Sequence, residues 1–337
     1  MRVAVLGRTR MLYDTIEEIV LQGHEIVLIG TCPAAPEYDI TEKDFEDKAR
    51  KLGIPFFNNV QINSPYIVEI LKKSNADIAI SVNWITVIKS EACECFKYGI
   101  LNAHCGDLPR YRGNATPNWA ILNGERQYAI SIHYMEPGKL DSGDIVLKEY
   151  FQIDEQTTVT EIYENMNVTI PKMFGKAIDI IDKEGHVGVE QSKNIEDSLR
   201  CYPRIPSDSF IDWNENCDTI LKNIRASSHP FQGAFCFWDD LKIYIFDAEI
   251  KSFETPCLVC PGQVIKVIRD DGIVEVAASD GVIALRELWI NNERFTAADV
   301  LKSVRIRLNY CLPNEIYLLR NEINILKKEI EKINAID

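Results

Sequence analysis

The hydrophobic pattern divides the chain into two halves of different character. In the first, short uninterrupted apolar runs alternate with segments of helical periodicity. Residues 2–7 (RVAVLG) form such a run, as expected of a strand buried on both faces of a parallel sheet, and a helical pattern follows to Gly23. The succession then repeats: a strand over 25–30, a proline-bearing loop over 31–40, a charged helix over 41–52, a short strand over 54–57, a helix over 65–73 and a buried strand over 76–82. Strands alternating with helices predict an α/β fold with a doubly wound, mostly parallel sheet, whose ligands would sit at the carboxyl ends of the strands. A further strand opens at Ile100 and runs into a polar turn after His104. Asn114 as a cap and Gly124 as a stop bound the next helix. Strands over 128–135 and 145–152 could pair across the turn between them, and a long amphipathic helix over 158–183 closes the domain.

The second half changes register. After one helix over 218–226 come short β-like runs at 234–238, 241–246, 262–268, 272–276 and 282–290. Turn residues punctuate them at intervals of about ten, as in a small barrel. The expected organisation is a catalytic domain over 1–185, a polar linker over 186–203, a small OB-like β-barrel over 204–308 and a helical tail over 309–337. In that tail Ile316, Leu319, Ile323, Leu326, Ile330 and Ile333 follow a 4-3 spacing, the pattern of a coiled-coil seam. It either packs back on its own chain or pairs with a second one in a homodimer.

Composition narrows the function classes. No apolar run approaches the roughly 20 residues that span a bilayer, and the N-terminal residues lack a signal peptide's apolar core, so a cytoplasmic protein is expected. The ten cysteines are then expected as free thiols; Cys257 and Cys260 form a CxxC with no second half for a zinc site, and no metal is expected. A formal net charge of −14 opposes a large nucleic-acid ligand, which usually meets a basic surface.

The chemistry gathers at strand ends. Asn102 and His104 lie two apart on one strand and so share a face, while Cys105 points the other way. The basic loop LPRYRG follows at 108–113, and a second polar turn, LDSGD, at 140–144. An amide donor suits a developing oxyanion, an imidazole moves protons near neutral pH, and Asp141 could orient that imidazole or relay protons. The set lacks an obvious serine or cysteine nucleophile, which fits direct attack by the substrate's own group. On these three residue types alone, a structural histidine at a strand end explains the pattern more readily than catalysis does. Arg8 and Arg10 flank the first strand–helix turn, where an anion is a natural guest, although the turn carries no GxGxxG fingerprint; a plain connection with solvated arginines is the other reading.

The wider pattern is more specific. Asn102-x-His104, LPRYRG at 108–113, Met135-Glu-x-Gly138 and LDSGD at 140–144 together resemble the folate-dependent formyltransferase family. That family includes enzymes acting on methionyl-tRNA, glycinamide ribonucleotide and sugar nucleotides. Arg204-x-Pro206-x-Asp208-Ser209-x-Ile211-Asp212-Trp213, Ile224-Arg225-Ala226 and Pro230-x-x-Gly233-Ala234-Phe235 resemble its C-terminal barrel domain, so the likeness covers about residues 1–308. Two departures concern loop shape. Gly138-Lys139-Leu140-Asp141 is one residue longer than the family's usual Gly-Leu-Asp turn, and residues 105–107 read Cys-Gly-Asp.

The resemblance implies 10-formyltetrahydrofolate as the formyl donor, with its pterin against Asn83, Trp84, Ile85 and Val87 on one side and Leu140 and Asp144 on the other. It implies that Asn102 and a protonated His104 stabilise the oxyanion while Asp141 positions His104. For the acceptor, charge favours an amino-deoxy sugar nucleotide, such as a surface-glycan or nonulosonic acid precursor, over methionyl-tRNA: the segment after the second strand, residues 32–47, is acidic. Arg8, Arg10, Arg110 and Arg112 are then candidates for the pyrophosphate and Trp119, or Trp84, for the base. A salt bridge or a packed core aromatic is the alternative reading for each. Methionyl-tRNA is the alternative acceptor, and a folate- or nucleotide-binding regulator without turnover a third possibility.

Overall fold

A computed structural model describes residues 1–36, 38–308 and 312–334. The first strands and helices follow one another as β1 (Arg2–Gly7), α1 (Arg10–Leu21), β2 (Glu25–Thr31), α2 (Glu42–Leu52), β3 (Phe56–Asn58), α3 (Pro65–Lys73) and β4 (Ile78–Val82). Then come α4 (Ser90–Cys93), β5 (Ile100–His104), β6 (Arg112–Gly113), α5 (Thr116–Leu122), β7 (Gln127–Tyr134), β8 (Ile145–Gln152) and α6 (Val159–Glu184). They build a seven-stranded sheet in the order β3-β2-β1-β4-β5-β7-β8. Pairing is parallel from β3 to β5 and antiparallel across β5, β7 and β8.

Alternation along β1 shows why an uninterrupted apolar run is needed here. Val3 and Val5 join a core with Leu12, Ile16, Ile170 and Phe174, contributed by α1 and α6. Ala4 and Leu6 face the opposite way, onto Ile67, Val68 and Leu71 of α3. Both faces are covered, so neither face of the strand has a polar alternative. The 26-residue α6 starts at a capping box: the Thr158 hydroxyl accepts from the Glu161 N–H, and the Glu161 carboxylate accepts from the Thr158 N–H at 2.7 Å.

A short pairing lies outside the sequence pattern. β9 (Arg200–Cys201) runs parallel to β6, so residues 186–203 are not a free polar connection. Val189 also bridges Ile145, and Gln191 and Cys201 are buried. The first compact unit accordingly takes in Met1–Asp208 together with Arg225–Gln232.

The second unit comprises Ser209–Ile224 and Gly233–Asp337. After α7 (Cys217–Ala226), the strands β10 (Ala234–Trp238), β11 (Leu241–Lys251), β12 (Val264–Ile268), β13 (Ile273–Ala277), β14 (Val282–Ile290) and β15 (Glu293–Thr296) form an antiparallel sheet. Its order is β10-β11-β14-β13-β12, with β15 on β14. Trp213, Ile243, Ile245, Val274, Ile283 and Leu285 fill its core. A single turn, α8 (Ala297–Val300), precedes the helical tail α9 (Leu312–Asn334). Residues 309–311 and 335–337 of the expected tail lie outside the described residues. Among the described residues, no helix is long and apolar enough to cross a membrane.

Candidate active site

The sheet reverses from parallel to antiparallel at β5, and the reactive groups gather there. Alternation puts Asn102 and His104 on one face of β5, both buried. The antiparallel register sets Asn102 opposite His133 of β7 and His104 opposite Ser131. His133 Nδ1 lies 2.8 Å from the Tyr134 carbonyl, which can only accept, so Nδ1 carries the hydrogen. Nε2 is then a lone pair, and it accepts from Asn102 Nδ2 at 3.2 Å. The amide of Asn102 is thereby fixed by a residue that no sequence motif singled out. The signal was present as Ser131 and His133, polar positions two apart on an otherwise apolar strand, but only the register shows which neighbour they meet.

His104 donates from Nε2 to the Tyr111 carbonyl at 2.5 Å, leaving Nδ1 facing Asp141 Oδ2 at 3.7 Å. Asp141 therefore sits between two imidazoles, its Oδ1 3.7 Å from His133 Nε2. Its backbone is left-handed (φ +49°), a conformation aspartate tolerates better than most residues, and Oδ2 accepts from the Gly113 N–H at 2.9 Å. The turn is held from behind: Gln191 Nε2 donates to the carbonyls of Asp141 and Gly143 at 3.0 and 2.7 Å, and Arg112 donates from Nη2 to Gln191 Oε1 at 2.6 Å. Gln191 has no motif signal; it stands in a stretch that reads as polar connection.

Burial is the main electrostatic influence on His133. It pushes that imidazole down to about 4 from an ordinary 6.5, against the opposing pull of the Asp141 carboxylate. His133 is thus neutral at pH 7, as its role as an acceptor requires. The unfolded chain binds a proton here below about pH 6.5 while the folded chain does not. Stability is therefore full above that pH and falls as pH drops toward about 4. At pH 5 the loss should be about 2 kcal/mol. Denaturant unfolding at pH 7.5 and pH 5 should show this loss in the wild type and a smaller one in His133→Gln.

Gly106, in the Cys-Gly-Asp departure, lies against the same imidazole. A Cβ there would meet the Tyr111 carbonyl oxygen at 2.5 Å and His104 Nε2 at 2.7 Å, the two ends of one hydrogen bond. Gly106→Ala should move His104 off its position. A displacement of about 1 Å near reacting groups costs about 10²-fold in rate, so kcat should fall on that order in a steady-state assay, with folding retained.

The segments expected to hold the pterin are brought side by side. The Gly138 N–H donates to the Ile88 carbonyl at 3.1 Å, tying the loop after β4 to the turn before Asp141. Ile85, Val87 and Leu140 expose apolar side chains there. Asn83 has φ +53° and donates to the Tyr38 hydroxyl, and the Trp84 indole N–H donates to Thr86. Asp144 lines a cleft of about 660 Å³ with Tyr134, Ser142 and His186. That cleft is lined largely by polar and charged side chains, Glu136, Lys139, Glu190 and Lys193 among them, and not by Asn83, Trp84, Ile85, Val87 or Leu140.

The arginines have partners within the chain. Arg8 donates to the Asn83 and Pro33 carbonyls and lies 5.2 Å from the centre of the Tyr38 ring. Arg10 pairs with Asp39, Arg110 with Glu125, and Arg112 with Gln191. The Trp119 indole donates to the Tyr202 carbonyl at 2.8 Å. The structure does not gather these five residues into a single cationic pocket with an aromatic wall.

Comparison with known proteins supplies the family. The model described as "Formyl transferase" matches residues 1–178, and "Formyl transferase, C-terminal domain" matches 205–305. A methionyl-tRNA formyltransferase of Geotalea uraniireducens is 27% identical over 312 residues, covering 91% of this chain and 96% of its own length. One from Pelotomaculum thermopropionicum is 27% identical, covering 90% and 95%. Among solved structures, HypX from Aquifex aeolicus in complex with tetrahydrofolic acid superposes with a TM-score of 0.61 at 18% identity, over 90% of this chain and 47% of that one. This chain thus spans about half of HypX. WlaRD, a sugar 3N-formyltransferase, superposes at 0.59 with 19% identity, over 87% and 98%. At these identities the two superpositions speak for the fold alone.

The relatives correct the expected acceptor. Eight curated proteins at 24–27% identity are all methionyl-tRNA formyltransferases, which overturns both the sugar-nucleotide expectation and the expectation of no nucleic-acid partner. The reason lies in the charge argument: net charge is a sum over the whole surface, whereas phosphate contacts are local and screened beyond about 10 Å. With both domain models matched in order along its length, the chain belongs to the formyl transferase family and is an enzyme that takes its formyl group from 10-formyltetrahydrofolate.

Proposed function

We propose that this enzyme formylates the α-amine of methionyl-tRNA, with Asn102, His104 and Asp141 as its catalytic groups. The observation that carries the reading is end-to-end similarity to methionyl-tRNA formyltransferases, 91% of this chain against 96% of the relative, in a chain where those three side chains converge. The folate supplies a formyl group activated for attack. The neutral amine of the acceptor attacks the formyl carbon; a C–N bond forms, the bond to the folate nitrogen breaks, and a proton passes from the amine to that nitrogen.

The protein's groups serve that exchange of bonds. Asn102, with one N–H held by His133, directs its amide toward the face shared with His104, where it stabilises charge on the formyl oxygen. His104, anchored at Nε2 by the Tyr111 carbonyl, presents Nδ1 as the second donor. Asp141 supports the positive form of that imidazole and receives the proton shed by the amine. The protein itself supplies no covalent nucleophile: Cys105, next in the chain, faces the core, and burial pushes its thiol well above the usual range.

The test is formation of formylmethionyl-tRNA from purified enzyme, 10-formyltetrahydrofolate and charged methionyl-tRNA, followed by acid-urea gel. Transfer to small amines with none to the charged tRNA would overturn the acceptor. Loss of transfer to every amine would overturn the catalytic assignment.

A further inference from the structure

The helical tail matches neither family domain, since the second model ends at residue 305. It is a 23-residue helix whose seam is exposed: Ile316, Leu319, Ile323, Leu326 and Ile330 are each 47–57% accessible, and the side chain of Ile333 lies outside those described. A seam packed back on its own unit would be buried, and this one is not. A row of large aliphatic side chains on one face of a helix, left in water, marks a surface that is covered in the working protein.

The sequence specifies what covers it. Taking Ile316 as a, the a positions are Ile316, Ile323 and Ile330, and the first two d positions are Leu319 and Leu326. In a parallel coil, β-branched residues at a with leucine at d favour two strands. Leu318 and Ile325, at c, widen the apolar stripe on one flank. The flanking charges set the orientation. Glu322 is at g and Lys327, five residues on, at e; one heptad earlier the sequence has Glu315 at g and Arg320 at e. In a parallel pair g meets the partner's e five residues later, so each glutamate faces a cation. In an antiparallel pair g meets g and e meets e, which would set glutamate against glutamate and cation against cation.

We propose that the tail is a parallel, in-register, two-stranded coiled coil through which a second copy of this chain binds. The inference is independent of which amine the enzyme formylates. It explains why the tail carries few polar residues on its a/d face although the domain before it has its own closed core. It also makes the dimer separable from the chemistry, because the residues concerned are far in sequence from the reactive cluster.

Sedimentation equilibrium of the full chain at micromolar concentration should give twice the monomer mass. Ile323→Glu with Leu326→Glu should return the monomer mass, with formyl transfer and the thermal melting of the two domains retained. Glu322→Lys alone should weaken the dimer at least tenfold by facing Lys327 of the partner subunit, and adding Lys327→Glu should restore it. Rescue by the double exchange requires the parallel g-to-e arrangement. A monomeric wild type, a dimer indifferent to the two glutamates in the seam, or a charge exchange without rescue would each overturn the proposal.

Discussion

Asn102→Ala is expected to lower kcat by about 10²- to 10³-fold, the 2.7–4 kcal/mol typical of one donor aimed at a developing oxyanion. His104→Ala should cost a similar factor. In the proposed mechanism both residues meet the reacting atoms rather than the bulk of either substrate, so KM for the folate and for the acceptor should move little. The two donors act on one charge, so the double variant should lose less than the product of the single losses. Asn102 carries a second consequence: its removal leaves His133 Nε2 without its donor, at a buried position. A cost in stability of about 1–3 kcal/mol should therefore accompany Asn102→Ala. Urea denaturation measures that cost separately from rate. A near-normal kcat in either single variant, with a cooperative unfolding transition, would remove these residues from the mechanism.

How much of this was legible in the sequence depends on the distance over which each feature is specified. The β5 strand and the shared face of Asn102 and His104 follow from a period of two within five residues, and the structure has both. The parallel sheet follows from apolar runs such as 2–7, because both faces must be covered. Neighbours set by tertiary register were not legible. His133 reaches Asn102 only through the antiparallel pairing of β5 with β7. Gln191 reaches the Asp141 turn from a segment whose polarity suggested a solvated connection. The arginines show the same limit in reverse. Their charge invites a phosphate, yet Asp39, Glu125 and Gln191, whose positions no local pattern reveals, already stand beside three of them. The acceptor was misread for a related reason: an acidic total says little about where individual cations lie.

Asp141→Asn isolates the charge between the two imidazoles. Asparagine has nearly the same shape, tolerates the left-handed backbone at φ +49°, and keeps an oxygen to accept from the Gly113 N–H. Gln191 holds this turn through main-chain carbonyls, which the substitution leaves in place. The change is therefore confined to the loss of one negative charge 3.7 Å from each histidine. Because the carboxylate pulls the His133 equilibrium upward, its loss drives that residue further toward the neutral form it already has at pH 7. His133 thus cannot account for a loss of rate in the variant. What remains is the role proposed for Asp141 beside His104, to take the proton that the amine sheds. General acid–base groups contribute about 10²- to 10⁴-fold, and kcat in Asp141→Asn should fall within that span while folate affinity, read by fluorescence quenching, holds. If kcat stays within a few-fold of wild type across pH 6–9, the carboxylate is a brace for the turn and not a participant in proton transfer.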